Sequence, residues 1–180
     1  MNRAEAFYSE VKPFFEKLGS YVLIDCCAGD GKVGVYFDEE PNIEKIMFVD
    51  IKEPNKFKLN TSQLKTPFKS SLRGIENLVL PGNAAVIALH ACGILTDKII
   101  EKAVLSLAPL AVMPCCYNQN MKKYNLKNLP DRRKISYPSE KDYYDAFRAR
   151  YLLERGYAVT IRTIDRKITP MNNIIIGIPN

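Results

Sequence analysis

No apolar run in the 180 residues approaches the roughly 20 needed to cross a bilayer; the longest lie at 86–89 and 174–178. The first ten residues carry acids and lack the apolar core and small-residue cleavage site of a secretory leader, so a cytoplasmic, reducing setting is expected. The five cysteines (Cys26, Cys27, Cys92, Cys115 and Cys116) are odd in number and contain no C-x-x-C spacing, which argues against a disulfide framework and a zinc ribbon. Histidine occurs once, at position 90. No repeat, low-complexity tract or linker rich in Gly, Ser or Pro divides the chain. A single domain over 1–180 follows, with an N-terminal helix in 1–19 and the core in 20–180.

What is present is an ordinary globular balance, 47% hydrophobic and 26% charged, with a net charge of +6 that permits an anionic partner without demanding one. Apolar spacing predicts a helix over 4–18, weakened by Pro13 and stopped by Gly19. Residues 21–25 and 45–50 read as buried strands, separated by the glycine-bearing loop AGDG (28–31) and a helix start at 33–37. Residues 52–73 are polar and basic, with an irregular helix expected there. The apolar run 77–80 and a turn at 81–83 precede residues 84–90, counted as the fourth strand. An amphipathic helix over 95–107 follows, with Thr96 expected as its cap and Asp97 in its first turn. A fifth strand at 110–113, a long polar loop to Pro138, a helix over 139–155 closed by Gly156, and a hairpin of 157–164 with 173–178 complete the reading. Alternating strands and helices give an α/β fold with a largely parallel sheet, to which the hairpin adds an antiparallel strand at one edge.

In open α/β sheets, ligands bind beyond the carboxyl ends of the strands. Those ends here carry Asp25-Cys26-Cys27, Asp50, Leu89 to Cys92, and Cys115-Cys116, so all five cysteines and the histidine map to one rim, where a shared pocket is expected. The glycine turn lets backbone N–H groups approach a ligand closely. Its spacing reads D-x-C-x-G-x-G from Asp25, not a dinucleotide fingerprint opening directly on the strand. Asp25 there would repel a pyrophosphate and suits a cationic or hydrogen-bond-donating ligand. Asp50, about twenty residues past the loop, lies where ribose hydroxyls are bound in Rossmann-like sites. Loop and acid together point to an adenosine-bearing cofactor without a phosphate chain, a description that S-adenosylmethionine fits.

The segment VLIDCCAGDGK (22–32) resembles motif I of the class I methyltransferases, D-x-G-x-G-x-G, and FVD (48–50) resembles the motif that follows it. HACGILTD (90–97), followed by PCC (114–116), is similar to a branch with H-x-C-G-x-x-T-D after the fourth strand and a Cys-Cys pair after the fifth. That branch includes the tRNA 2′-O-methyltransferases acting on the acceptor stem. The resemblance spans roughly 20–118 and implies a Rossmann-like, mostly parallel sheet with helices on both faces. It also implies S-adenosylmethionine as cofactor, bound through Asp25, Cys27, Ala28, Gly29, Gly31, Asp50, Leu89 and His90. Two departures stand out. Cys27 occupies the place of the family's first glycine and is expected to narrow the loop. The zinc-finger regions of the tRNA enzymes are missing, and YNQ (117–119) replaces the histidines after their Cys-Cys pair, so their substrate does not carry over.

His90 has two readings. It orients or deprotonates the methyl acceptor, or its ring bonds a backbone carbonyl and holds the HACG turn. Cys115 as a nucleophile toward a pyrimidine lacks its partner motif, and Cys92, Cys115, Cys116 and His90 lack zinc spacing, so no metal is expected. The substrate side is assigned to Cys115, Cys116, Tyr117, Asn118, Lys122, Lys123, Arg132 and Arg133. Positive charge concentrates in residues 52–73 (Lys52, Lys56, Lys58, Lys65, Lys69 and Arg73) and in 121–134, where a phosphate backbone could be held. Tyr117, Tyr124 and Tyr137 are placed to stack bases. An S-adenosylmethionine-dependent methyltransferase with RNA (tRNA or rRNA) as leading substrate is the expectation. The alternatives are a small-molecule methyltransferase and a non-catalytic nucleic-acid-binding protein on the same scaffold. A nucleotide-binding oxidoreductase fits the Asp25 loop poorly.

Overall fold

Period-two alternation in the central strands sets the architecture, because successive side chains of a strand point to opposite faces of its sheet. Leu23, Ile46, Phe48, Ala85, Ile87, Ala111 and Met113 face one layer, and Ile24, Val49, Val86, Ala88, Leu110 and Val112 face the other. Both faces are therefore buried, as the unbroken apolar runs require. The computed structural model describes residues 1–117 and 138–180. Among these, the strands are β1 (Tyr21–Cys26), β2 (Ile43–Asp50), β3 (Phe68–Leu72), β4 (Ala84–Leu89), β5 (Leu110–Met113), β6 (Tyr157–Thr163) and β7 (Asn173–Pro179). The helices are α1 (Arg3–Phe15), α2 (Lys32–Tyr36), α3 (Asn55–Thr61), α4 (Ile94–Leu105) and α5 (Glu140–Leu153).

The strands form one sheet in the order β3-β2-β1-β4-β5-β7-β6. β1 to β5 are parallel to one another, and β7 runs antiparallel to both β5 and β6. The chain steps outward through β2 and β3, then returns to lay β4 on the other side of β1. That reversal is the topological switch point where such sheets bind ligands. Phe7, Val11, Phe15, Val33 and Phe57 bring α1, α2 and α3 onto the first layer, and Ile99, Ile100, Ala103 and Leu152 bring α4 and α5 onto the second. The fold is the expected Rossmann-like α/β sheet with helices on both faces and a C-terminal antiparallel hairpin. The hairpin's second strand, however, is inserted against β5, and its first becomes the sheet edge.

Three local expectations are corrected. The third strand is Phe68–Leu72, inside the segment read as polar and irregular, whereas residues 77–80 continue from a 3-10 turn at Ile75–Asn77. As an edge strand, β3 buries only Ser71, so it carries no apolar run to betray it. Thr96 does not cap α4. The cap is Gly93, and the Thr96 hydroxyl donates to the Ala91 carbonyl at 2.5 Å, tying the helix back to the turn before it. The cap of α1 is a capping box of Asn2 and Glu5 that the apolar spacing did not display, and Pro13 is accommodated in the last turn.

The second layer is held by a buried polar network. Arg148 of α5 is 5% exposed; its Nε donates to Asp97 at 2.7 Å and its Nη1 to Asp145 at 3.2 Å. Asp145, 1% exposed, also accepts from the Tyr117 hydroxyl at 2.8 Å and from the Asn173 amide at 2.9 Å. One guanidinium thus joins α4, α5, β7 and the segment after β5. Removing one partner of a buried pair strands the others, at a cost of about 3–5 kcal/mol. Arg148→Met is therefore expected to lower stability by about that amount in urea unfolding, with no comparable loss for the exposed pair partner Arg150→Met.

Candidate active site

The turn from β1 into α2 has left-handed backbone at Cys27, Gly29 and Gly31, with φ of 57°, 53° and 78°. Gly29 and Gly31 adopt this without cost, and Cys27 adopts it against its Cβ. The glycine of the resembled motif at position 27 thus has a backbone cause, and the cysteine adopts a strained conformation there. Apart from its chain neighbours, no heavy atom of the described residues lies within 4 Å of where a Cβ on Gly29 would stand, so that glycine borders open space. Its N–H donates to Asp50 Oδ2 at 2.9 Å, and the Ala28 N–H to the Val49 carbonyl at 3.2 Å, which fastens the loop over the end of β2.

Asp50 also accepts from the Ile51 N–H at 2.7 Å and the Lys52 N–H at 3.4 Å, both through Oδ1. A carboxylate has about four lone-pair sites, so acceptor capacity remains for a hydroxyl. A small cleft adjoins it, lined by residues that include Gly29, Asp50, Lys52, Phe57 and Leu72. The geometry brings the two sequence signals, glycine loop and strand-end acid, into one edge.

Asp25 behaves otherwise. It is 1% exposed, and its Oδ2 accepts the Gly34 N–H at 3.0 Å, so the carboxyl faces inward and presents no charge to a ligand. Burial pushes its pKa up to about 7 despite the Gly34 bond. Gly34 is the residue that sequence reasoning missed. A Cβ there would lie 2.4 Å from the Phe48 ring and 3.2 Å from Asp25, so α2 can approach β2 only without a side chain. The signal was available: Gly29, Gly31 and Gly34 stand in G-x-G-x-x-G order, displaced two residues from the strand end.

Across the switch point, His90 follows Leu89 at the end of β4, with φ of 61°. Its Nε2 lies 3.3 Å from Arg3 Nη1 at the start of α1. A guanidinium only donates, so Nε2 accepts and the ring proton is inferred to sit on Nδ1. Burial, and then the Arg3 charge, hold its pKa below the ordinary imidazole value. The ring therefore does not act as the turn's clamp. The backbone does that, with the His90 N–H donating to the Met113 carbonyl at 2.9 Å and the His90 carbonyl facing the Cys92 and Cys115 thiols.

The five cysteines separate. Cys26 is buried in the core, Cys27 packs partly against the same layer, and Cys92, Cys115 and Cys116 bring their sulfurs together beside the His90 carbonyl. A single pocket holding all five is not what forms. Tyr117 is also committed elsewhere: its hydroxyl is held by Asp145, its ring stacks on Tyr144 at 6.1 Å, and the Arg148 guanidinium lies 5.5 Å from its centroid. It is committed to α5 and is not a free base-stacking surface. Asn118, Lys122, Lys123, Arg132 and Arg133, with the rest of 121–134, Tyr124 and Tyr137, lie outside the described residues. Of the first basic segment, Lys52, Lys56, Lys58, Lys69 and Arg73 are exposed, and Lys65 pairs with Glu39 at 2.9 Å.

The inward carboxyl has a testable consequence. Between pH 3.8 and about 7, folded Asp25 keeps a proton that the unfolded chain has released, so this group's contribution to stability falls as pH rises through that window. Asp25→Asn has no such proton to lose. Its stability relative to the wild type is expected to improve, by up to a few kcal/mol, between urea melts at about pH 4.5 and about pH 7.5.

With this geometry in view, the likeness to known proteins is specific at the level of fold. A family model described as a methyltransferase domain matches residues 2–123. The Homo sapiens and Mus musculus proteins called glutathione S-transferase C-terminal domain-containing protein are each 25% identical over 195 residues, which cover 87% of this chain and 30% of theirs. The chain thus spans under a third of the length of these relatives. Among solved structures, an rRNA methylase from Streptococcus thermophilus superposes with a TM-score of 0.57 at 17% identity, covering 96% of this chain and 92% of that one. The magnesium protoporphyrin IX methyltransferase of Synechocystis, with bound SAH, gives 0.63 at 14% identity over 98% and 83%. The strand order, the glycine loop fastened to the β2 acid and the family match agree: the chain belongs to the methyltransferase domain family.

Proposed function

We propose that this chain is an S-adenosylmethionine-dependent methyltransferase whose cofactor lies across the carboxyl ends of β1, β2 and β4. The observation that carries this reading is the Gly29 N–H to Asp50 bond of 2.9 Å, which ties loop and strand-end acid into one preorganised edge. The residues suit a nucleoside: Asp50 retains acceptor capacity for ribose hydroxyls, and Gly29 leaves room above the loop. Cys27, Ala28 and Gly31 shape that loop, Asp25 supports it from beneath, and Leu89 and His90 border the methionine end. Bound there, the sulfonium supplies an already activated methyl group, so the protein's task is positioning more than acid–base chemistry. His90, the candidate catalytic residue, would take a proton from the acceptor only after Arg3 leaves Nε2.

RNA is the proposed substrate. The exposed cations of 52–73 flank the nucleoside edge, where a phosphate backbone would lie, and Lys52 lines the cleft itself. The likeness to an rRNA methylase supports the same class. A second reading, a non-catalytic RNA-binding scaffold, is favoured by the strained Cys27 backbone where the family has glycine.

Calorimetric titration with S-adenosylmethionine and S-adenosylhomocysteine, with NAD as control, separates these readings. The enzyme reading expects micromolar binding of both nucleosides, weakened tenfold or more by Asp50→Ala, and none of NAD. Absence of binding to folded protein supports the scaffold reading.

A further inference from the structure

Sulfurs from two separate loops converge at the end of the sheet. Cys92 lies in the turn after β4, and Cys115 and Cys116 directly follow β5. Their Sγ atoms stand 3.1 Å (Cys92 to Cys115), 3.3 Å (Cys92 to Cys116) and 3.5 Å (Cys115 to Cys116) apart, a nearly equilateral triangle. The arrangement is not that of a disulfide pair with a bystander, since each sulfur is about equally close to both others. Adjacent residues such as Cys115 and Cys116 have Cα atoms only about 3.8 Å apart, shorter than ordinary disulfides span.

We propose that Cys92, Cys115 and Cys116 form a three-thiolate site for a thiophilic cation, zinc, with its fourth position open to solvent or another ligand. A tetrahedral centre with zinc–sulfur bonds of about 2.3 Å holds its sulfurs about 3.8 Å apart, so the triangle needs to open by about 0.3–0.7 Å along its edges. Soft thiolates select such ions over hard ones. Cys92 is exposed, which gives the ion an entry path and leaves one side of the triangle accessible. The His90 carbonyl lies 3.4 Å from Cys115 Sγ and 3.6 Å from Cys92 Sγ, adding partial negative charge beside the sulfurs that a cation would offset.

Both loops are held independently of any ion. Asp97, five residues beyond Cys92, and Tyr117, adjacent to Cys116, are bound within the same Arg148 and Asp145 network. Thr96 closes the Cys92 turn through the Ala91 carbonyl. The ligands are thus supported by buried hydrogen bonds behind them, as metal sites require. Sequence spacing could not display the site, because two ligands are adjacent and the third is supplied by a neighbouring strand end. On binding, the thiols release their protons to solvent and no group changes oxidation state.

The test uses the full chain, purified under reductant. Elemental analysis should find about one zinc per chain. Titration of metal-free protein with cobalt(II) should give thiolate-to-cobalt charge-transfer absorption, reduced by about a third or more in each of Cys92→Ser and Cys115→Ser. Adding zinc should raise the wild-type melting midpoint and raise that of either variant less. Circular dichroism checks that each variant is folded. Folded, reduced wild-type protein that takes neither zinc nor cobalt overturns the proposal, as does binding unaffected by either substitution, or copper as the only ion retained. The nucleoside titration on the same samples reads the methyltransferase assignment separately, through Asp50, so one can fail without the other.

Discussion

One buried guanidinium governs much of what happens at the rim. Arg148 is held by Asp97 from α4 and Asp145 from its own helix, and Asp145 in turn receives Tyr117 and Asn173. Burial works against the Arg148 charge, yet the two carboxylates outweigh it and raise its pKa, while burial pushes Asp145 up against its donors. Such a network gives little net stability over an apolar core but is costly to leave half made. Its effect here is geometric. The segments after β4 and β5 cannot shift separately while Asp97 is tied to Arg148, Tyr117 to Asp145, and those two α5 side chains to each other.

On the other side of the switch point, the same kind of constraint is built from a carboxylate and backbone. Asp50 holds Gly29 and its own following amides, and Asp25 holds Gly34 from below. Of the two strand-end acids expected to meet a ligand, Asp25 lies in the core and Asp50 faces the cleft. α1 closes the arrangement from above. Its core residues pack on the first layer, and Arg3 at its start reaches His90 across 87 positions of sequence. The N-terminal helix is therefore part of the rim and of the core alike.

The sheet was legible because its central strands are buried on both faces and so written as continuous apolar runs at 21–25, 45–50, 84–89 and 110–113. β3 was not, since an edge strand of sequence FKSSL has only one buried residue to mark it. The proposed nucleoside edge rests on two separate sequence signals, Gly29 and Asp50, which the strand order brings together. What stayed hidden were contacts that depend on side-chain direction. Asp25 turns inward, Tyr117 is committed to Asp145, Arg3 reaches His90, and three sulfurs meet although no metal spacing exists along the chain. The motif HACGILTD gained a physical meaning only in three dimensions: Thr96 and Asp97 fasten the turn that places His90 and Cys92.

The most direct test of the nucleoside edge is amide chemical-shift mapping of the protein with S-adenosylhomocysteine. The account predicts shifts concentrated at Gly29, Ile51, Lys52 and His90, with the β6–β7 hairpin unchanged. Shifts centred elsewhere in the molecule, with Gly29 and Ile51 unmoved under saturating ligand, would contradict it.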